Sequence, residues 1–419
     1  MSTETPRPPR QTFLACADAY GRIADPELGT QPDTIDGFLM RTGYEQLVYQ
    51  QSTQNEFGRS AALFVQIGGV RPPQVLNPGW DLELFGCTLS EFVGVGFVAH
   101  TAAVLHEGRF SADWLDEGTS TEITDRLPLE TVRYVLDRDF VGNVERDFRF
   151  INETSSQLRR FTPNPLAALP LVAGVGSKLL LPVPGLVIRK VSPIGIWYMG
   201  WDRWGQPFAD DVGDLFEQYV GRLLRLIPNA DVFPEVRYGK GDQRTVDWFV
   251  VGKHAVILVE VKSTRPTDPV RLGTLEGWTE LAAKLGKAYK QLENSHQLIV
   301  GGEPALSHIP ANLPRIGLIV TMEPFPFANA QPIRRRYGAT QAIPTSVCSS
   351  YQLEWIVRLT DRDVDRYILE FLNDPAKAGW EITSDLVGIE MGPNPVITQG
   401  WDHYEWGRPA GQETTFPPG

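Results

Sequence analysis

Three residues whose side chains could do chemistry, Asp247, Glu260 and Lys262, lie close together in the segment RTVDWFVVGKHAVILVEVKS. Asp247 begins one apolar run, and Glu260 and Lys262 end the next. An unpaired charge at the end of a buried strand costs free energy, so a partner must stabilise these groups. The sequence offers two explanations for them, a structural ion pair and a metal site.

The position of Asp247 favours the metal site. A short Gly-Lys-His turn joins the runs at residues 247–251 and 255–263, which predicts an antiparallel hairpin with Asp247 next to Glu260. Neighbouring carboxylates disfavour each other's ionisation, and a divalent cation removes that conflict. Because Mg²⁺ prefers hard oxygen ligands and keeps several waters, we predict that Asp247, Glu260 and the backbone carbonyl of Val261 bind it.

A further acidic residue, Glu217, lies on a helix predicted to start near residue 210, which Asp210 or Asp211 can cap. Glu217 occurs within the apolar stripe of this helix rather than on its polar face. Gly213 and Gly221 lie on the same side, one turn before and after it, where glycine lowers helix stability but permits close approach of a backbone or ligand. Taken alone, Glu217 is more simply interpreted as a surface carboxylate.

The surrounding patterns predict the elements that position these residues. The run at residues 255–263 is apolar on both faces up to Glu260, which is typical of a central strand covered on both sides. A helix pattern follows at residues 277–295, with Lys287 and Gln291 on one face at i and i+4. Another apolar run at residues 315–322 predicts a strand. Alternating helices and strands predict an α/β domain.

This ordered set of residues resembles the PD-(D/E)XK (restriction-endonuclease-like) nuclease superfamily. The resemblance rests on the helical Glu217, Asp247 in TVDWFVV, Glu260 and Lys262 in ILVEVKS, and Gln291 on the following helix. Val-Asp stands where the superfamily motif has Pro-Asp. The resemblance covers about a third of the chain. It implies an α/β (α+β) restriction-endonuclease-like core, with a central mixed β-sheet flanked by helices.

The resemblance also implies Mg²⁺-dependent hydrolysis of phosphodiester bonds in nucleic acid, with Mn²⁺ as a substitute, and most directly a DNA endonuclease. In the superfamily the acidic residues bind Mg²⁺, which would be Asp247 and Glu260 here, and the lysine, here Lys262, positions or activates the attacking water. Glu217 would complete the metal shell through water or help a second ion, and Gln291 would contact the site or substrate. A role in phage or plasmid defence, or in repair, is an expectation from architecture alone.

Substrate binding by such a site requires local positive charge, because the net charge of the chain is −12. That value argues against a general nucleic-acid-binding coat, but salt screens charges beyond about 8–10 Å and leaves room for a local basic groove. We predict that Arg244, Arg265 and Lys287 contact substrate phosphates. The simpler interpretation of each is a solvated surface charge.

Two other interpretations of the same residues stay open. The domain could be a nuclease-like fold without activity, which acts as a nucleic-acid- or protein-binding module. Alternatively, Asp247, Glu260 and Lys262 could form a structural ion-pair network in an unrelated α/β domain. A divalent cation should stabilise a metal site but not a structural network. A binding module should bind DNA without cutting it.

The length of 419 residues predicts two or three domains. The polar N-terminus and the short, broken apolar stretches predict a soluble, cytoplasmic protein without a membrane partner. Three widely spaced cysteines predict buried thiols and no disulfide framework. The N-terminal domain is expected to bind a partner protein or a second copy of the chain. The predicted divisions are a disordered N-terminus (1–11), a mainly helical N-terminal accessory domain (12–160), a Pro/Gly-rich β connector (161–205), the nuclease-like domain (206–330) and a C-terminal helical extension and tail (331–419).

Overall fold

The computed structural model describes residues 10–21, 37, 39–44, 54–65, 70–111, 126–148, 164–175, 178–240, 243–336, 342–389 and 391–407. The N-terminus was predicted to be disordered over residues 1–11. Of these, residues 1–9 lie outside the described residues. Helices and mixed sheets alternate along the described chain, which confirms a mixed α/β architecture.

The helices are α1 Arg10–Gly21, α2 Asn55–Phe64, α3 Trp80–Phe85, α4 Leu89–Leu105, α5 Leu129–Val135, α6 Val144–Asp147, α7 Gly185–Val191, α8 Pro193–Trp204, α9 Gln206–Leu224, α10 Asp268–Arg271, α11 Leu275–Val300, α12 Gln331–Arg336, α13 Ser350–Ile356, α14 Val364–Asn373 and α15 Pro395–Trp401. A π-helical turn follows α5 at Leu136–Phe140. The strands are β1 Arg109–Phe110, β2 Val141–Asn143, β3 Leu171–Ala173, β4 Leu179–Leu180, β5 Asp231–Pro234, β6 Arg237–Tyr238, β7 Gln243–Arg244, β8 Trp248–Val251, β9 Val256–Lys262, β10 Arg315–Thr321 and β11 Thr345–Ser349.

A five-stranded mixed sheet carries the predicted site residues. Its strand order is β11–β10–β9–β8–β5; β9, β10 and β11 run parallel, whereas β8 and β5 are antiparallel to their neighbours. Ile257 and Val259 of β9 pack in one apolar cluster and Val256 and Leu258 in another. Because side chains alternate along a strand, these clusters lie on opposite faces of the sheet. The prediction of a central strand covered on both faces is confirmed.

Two long amphipathic helices, α9 and α11, supply the covers. α9 contributes Phe216 and Val220 to the cluster that contains Trp248, and α11 contributes Leu285 and Leu292 to the cluster on the other face. The alternation of β9 places Glu260 on the α11 face, since it follows Val256 and Leu258 at a spacing of two. The sheet therefore stands between the helix of Glu217 and the helix of Gln291.

Gly221 allows α9 to approach the sheet closely. A Cβ at this position would lie 2.3 Å from the indole ring of Trp248. The Trp248 Nε1 donates a hydrogen bond to the backbone carbonyl of Glu217 at 3.2 Å. The glycine thus lets an aromatic side chain of β8 hold the helix turn that carries Glu217.

The cluster beneath α9 extends well beyond the sheet. It includes Phe57 of α2 and Trp406 near the C-terminal end of the described chain. A buried network joins the same parts, because Arg59 donates to both oxygens of Glu354 at 2.7 and 2.6 Å and the Tyr219 hydroxyl donates to Glu354 at 2.6 Å. The helical N-terminal region therefore shares a core with the helix of Glu217.

The segment predicted as a β connector, residues 161–205, differs in its second half. β3 and β4 are short strands, as expected, but α7 and α8 are helices. Proline indicated extended structure, yet Pro193 occupies the first turn of α8, where its missing N–H has no intrahelical partner to lose. Ser192 caps this helix by accepting a hydrogen bond from the Gly195 N–H at 3.3 Å.

Capping residues mark the starts of two further helices. Thr88 and Glu91 form a capping box at the start of α4. Asp363 occupies the N-cap position of α14. None of the helices in the described ranges is long and apolar enough to span a membrane.

Candidate active site

The carboxyl end of β9 brings three of the predicted residues together. Glu260 is fully buried, whereas Lys262 is partly exposed. The Lys262 Nζ donates to Glu260 Oε1 and, at 3.2 Å, to Gln291 Oε1. Gln291 lies on α11, so Lys262 connects the strand end to the helix that covers it.

Asp247 lies immediately before β8, beside this strand end. β8 and β9 pair with Trp248 opposite Val259, and one further step of the same register puts Asp247 across from Glu260. The backbone N–H of Val261 donates to Asp247 Oδ2 at 2.6 Å. Within a strand the N–H and C=O of one residue point to the same side, so the Val261 carbonyl also points toward the Asp247 side.

Burial raises the pKa of all three acidic groups. The pKa of Glu260 rises to about 8, because burial and the neighbouring Asp247 outweigh the opposing charge of Lys262. Burial also raises the pKa of Asp247 to about 6, against the hydrogen bond from Val261 and the charge of Lys262. For Glu217, burial followed by the charges of Asp247 and Glu235 raises the pKa to about 7. Each carboxylate is thus unfavourable in its ionised form without a compensating cation.

One oxygen of Glu260 identifies where a cation would fit. Glu260 Oε2 is buried and has no hydrogen-bond partner among the described residues, whereas Oε1 is paired with Lys262. A buried polar atom without a partner costs free energy. The neighbouring oxygen donors are the Asp247 carboxylate and the Val261 carbonyl. Two carboxylates and one carbonyl form a hard-oxygen donor set that suits Mg²⁺ with its remaining positions filled by water.

Glu217 lies on α9 and acts on the site through its charge. Within the described ranges, no three His, Cys, Asp or Glu side chains form a group that could hold a metal ion. The charge of Glu217 adds to the rise in the pKa of Glu260, and the charge of Asp247 adds to the rise in the pKa of Glu217. The hydrogen bond from Trp248 to the Glu217 backbone carbonyl holds this turn of α9 against β8.

The three predicted substrate contacts occupy different environments. Arg244 of β7 is exposed and donates to Glu235 Oε1 at 2.9 Å. Burial raises the pKa of Asp247, and the charge of Arg244 is close enough to oppose that rise. Lys287 is exposed on α11, one helical turn before Gln291. Arg265 is partly buried and stacks on aromatic side chains of α8.

Three charged residues near the site were missed in the sequence. Burial is the main cause of the raised pKa of Glu217. The charges of Glu235 and Asp214 raise this pKa further, and the charge of Arg71 lowers it. Arg71 contacts Asp214 through its backbone N–H at 3.3 Å and through a guanidinium nitrogen at 3.5 Å. Asp214 was detectable, since it lies three residues before Glu217 on one helix. Arg71 was not, because 143 residues separate it from Asp214.

Asp211 also differs from its predicted role. It was expected to cap α9, but the helix begins earlier, at Gln206. Its carboxylate instead accepts hydrogen bonds from the backbone N–H groups of Gln74, Val75 and Leu76 at 2.8–3.0 Å. This carboxylate fixes the segment that carries Arg71 beside the helix of Glu217.

The described site thus combines two buried carboxylates with raised pKa values, a lysine held between a carboxylate and an amide, and a buried oxygen without a hydrogen-bond partner. These groups can bind a hard cation and stabilise negative charge beside it. Comparisons of the chain with protein-family models, with curated proteins and with solved structures found no match.

Proposed function

We propose that this protein is a Mg²⁺-dependent nuclease with a PD-(D/E)XK-like core, which hydrolyses phosphodiester bonds in DNA. The observation that carries the proposal is the convergence of Asp247, Glu260, Lys262 and Gln291 at the end of a central strand. Supporting it are the mixed five-stranded sheet and the helices α9 and α11 on its two faces.

Asp247, Glu260 and the Val261 carbonyl would hold the cation in this proposal. A bound Mg²⁺ supplies positive charge to the scissile phosphate and lowers the pKa of a bound water. The protein supplies a buried setting, in which electrostatic interactions are stronger than in water. Asp247 is held in place by the Val261 N–H, and this fixes the orientation of its carboxylate for the cation.

Lys262 orients the attacking water and stabilises charge on the phosphate. An ammonium group has three donors, and two of them bind Glu260 and Gln291. The third donor has no partner among the described residues and is left for a water or phosphate oxygen. Because the Gln291 Oε1 accepts from Lys262, the amide N–H groups of Gln291 are directed away from it and can donate to substrate.

One observation favours a second candidate, a nucleic-acid-binding module without activity. The ion pair between Lys262 and Glu260 already neutralises one carboxylate of the site. In the absence of three convergent acidic side chains among the described residues, the protein would then bind DNA through its basic residues alone. This candidate predicts binding without cleavage under every metal condition.

The test is cleavage of supercoiled, linear and single-stranded DNA, and of RNA, by purified protein with Mg²⁺ or Mn²⁺. We expect metal-dependent cleavage by the wild type and a loss of about 10²–10³-fold in rate for Lys262→Ala, since one transition-state donor has that effect. Asp247→Ala should also lose activity. The matched control is Lys253→Ala, which changes an exposed lysine in the turn between β8 and β9 and should leave the rate unchanged.

The same preparations distinguish the candidates. Cleavage that needs metal and both site residues supports the nuclease. DNA binding by wild type without cleavage under any metal condition supports the binding module. Wild-type protein that neither cleaves nor gains thermal stability from metal contradicts the metal site.

A further inference from the structure

Arg265 is held by three aromatic rings of α8. Its guanidinium carbon lies 3.8 Å from the ring centroid of Trp197, 4.4 Å from that of Tyr198 and 5.5 Å from that of Trp201. The rings of Trp197 and Trp201 stack with centroids 5.1 Å apart. We call Trp197, Tyr198 and Trp201 the aromatic box. Cation–π contacts with several rings orient the plane of the guanidinium and restrict its motion.

No described residue accepts a hydrogen bond from the Arg265 guanidinium. Its five N–H donors lie in the guanidinium plane, whereas stacking occupies its face. Throughout the part of the chain that the structure describes, Arg265 makes no hydrogen bond and no ion pair. A cation that is held in place without a hydrogen-bonded carboxylate among the described residues can bind an anion.

The carboxylates that feel the charge of Arg265 are paired with other groups. Glu280 and Glu323 are both close enough to interact with it electrostatically. Glu323 accepts from Arg189 at 3.0 Å and from Arg271 at 3.2 Å, and Glu280 is bound by Lys284. Neither carboxylate therefore needs Arg265 for neutralisation. Their negative charges are already balanced in part by these other cations, which reduces their repulsion of a bound anion.

The aromatic box lies at the same edge of the sheet as the candidate active site. Arg265 follows Lys262 by three residues, which span at most about 11 Å even when fully extended. The Lys262 carbonyl accepts from the Met322 N–H at 3.3 Å, and Glu323, which interacts with Arg265, is the next residue. A strand whose phosphate lies at Lys262 therefore passes within reach of Arg265.

We propose that Arg265, oriented by the aromatic box, binds a phosphate group of the nucleic-acid strand next to the phosphodiester that is cleaved. This inference rests on the proposed nuclease function. A planar guanidinium contacts two phosphate oxygens at once, which a lysine ammonium does not. Arg265 is thus a positioning residue, which sets where the strand lies relative to Lys262.

The test measures equilibrium binding of fluorescent single-stranded and duplex oligonucleotides to metal-free protein over a range of salt concentrations. Arg265→Gln should weaken binding roughly tenfold, because it removes charge-assisted hydrogen bonds. It should also reduce the slope of log affinity against log salt by about 0.7 on single strands and about 0.9 on duplex DNA. Arg265→Lys should keep the slope but lose affinity. The matched control is Arg203→Gln, on the same helix as the box, which should change neither quantity.

Trp201→Leu provides a second variant that leaves the charge in place. It should weaken binding without changing the salt slope, because Arg265 is then less well oriented. In cleavage assays, Arg265→Gln should raise KM with little change in kcat. Thermal denaturation identifies any variant that fails to fold, and Arg265→Lys and Trp201→Leu then decide the outcome.

Oligonucleotides with and without a 5′-phosphate distinguish the two sources of phosphate. Equal loss on both forms identifies an internal phosphodiester, and loss confined to the phosphorylated form identifies a strand end; both outcomes support the proposal. Unchanged affinity and salt slope for folded Arg265→Gln on every oligonucleotide overturn it. Because binding is measured without metal or cleavage, Arg265-dependent binding by a protein that never cleaves contradicts the nuclease but not the phosphate site.

Discussion

The Glu260 carboxyl group has two oxygens in contrasting environments. Oε1 is paired with Lys262, whereas Oε2 is buried and has no partner among the described residues. Arg59, by contrast, binds both oxygens of Glu354. The Glu260 oxygen without a partner therefore leaves room for a ligand at the end of β9.

We predict that stabilisation of the protein by Mn²⁺ or Mg²⁺ increases with pH. In the metal-free protein burial raises the pKa of Asp247 to about 6 and that of Glu260 to about 8. For raised acidic pKa values, the stability of the metal-free fold is greatest at low pH and falls as pH rises through these values. Cation binding requires the ionised forms, so it strengthens over the same window and releases protons.

The measurement is the melting temperature with and without metal between about pH 5 and pH 9. The increase in melting temperature should be small below pH 6 and largest above pH 8. Asp247→Asn should remove the increase at every pH. A metal effect that is independent of pH, or that persists in this variant, would place the cation elsewhere.

At the scale of elements, the site depends on how closely α9 lies on β8. In the sequence Gly213 and Gly221 are equivalent, because both lie one turn from Glu217. In the structure they differ, since a Cβ at Gly221 would lie 2.3 Å from Trp248, whereas the nearest atom at Gly213 is the Ser263 hydroxyl at 3.4 Å. Only Gly221 is required by packing.

We predict opposite effects on stability for the two alanine variants. Gly221→Ala should lower the free energy of unfolding by about 1–3 kcal/mol, because the indole of Trp248 must shift. Gly213→Ala should raise it by up to about 1 kcal/mol, from the better helix propensity of alanine. Denaturant unfolding of both variants is the measurement. Equal effects of the same sign would contradict the packing of α9 described above.

The elements that the sequence predicted best are those with a strong local pattern. β9 alternates between two apolar faces, so it was predicted within a residue at both ends. α7 and α8 were missed because their prolines and glycines are also typical of loops. Pro193 starts a helix rather than ending one, because proline is tolerated in the first turn of a helix.

For the whole molecule, a buried network connects the N-terminal region to the site helix. Arg59 pairs with Glu56 at 2.6 Å and with Glu354 at 2.6 Å. Tyr219, two residues after Glu217 on α9, donates a hydrogen bond to Glu354. Removing the central cation would leave two buried carboxylates without compensation. The cost of that change is much larger than for a surface pair.

We predict that Arg59→Met lowers the free energy of unfolding by about 3–5 kcal/mol. The matched control is Arg366→Met, which breaks an exposed ion pair with Glu370 and should have a much smaller effect. Denaturant unfolding measures both. If Arg59→Met is as mild as the control, the network does not join the N-terminal region to α9 in the way described.

The parts of the site that the sequence revealed are those encoded locally. Asp247, Glu260 and Lys262 belong to one hairpin, and Gln291 to the next helix, so their spacing could be interpreted. Glu235, Arg71 and the aromatic box reach the site only through the tertiary fold. Trp197 and Arg265 are far apart in sequence, and neither carries a pattern that indicates the other.

The most direct test of the central claim is the initial rate of Mg²⁺-dependent plasmid cleavage by Glu260→Gln, measured beside Glu276→Gln. The variant keeps the size of the buried side chain but removes the charge that would hold the cation, whereas Glu276 is an exposed residue of α11. We predict that wild type and Glu276→Gln cleave at equal rates and that Glu260→Gln is slower by at least about 10²-fold. Equal cleavage by all three proteins would contradict the assignment of the site.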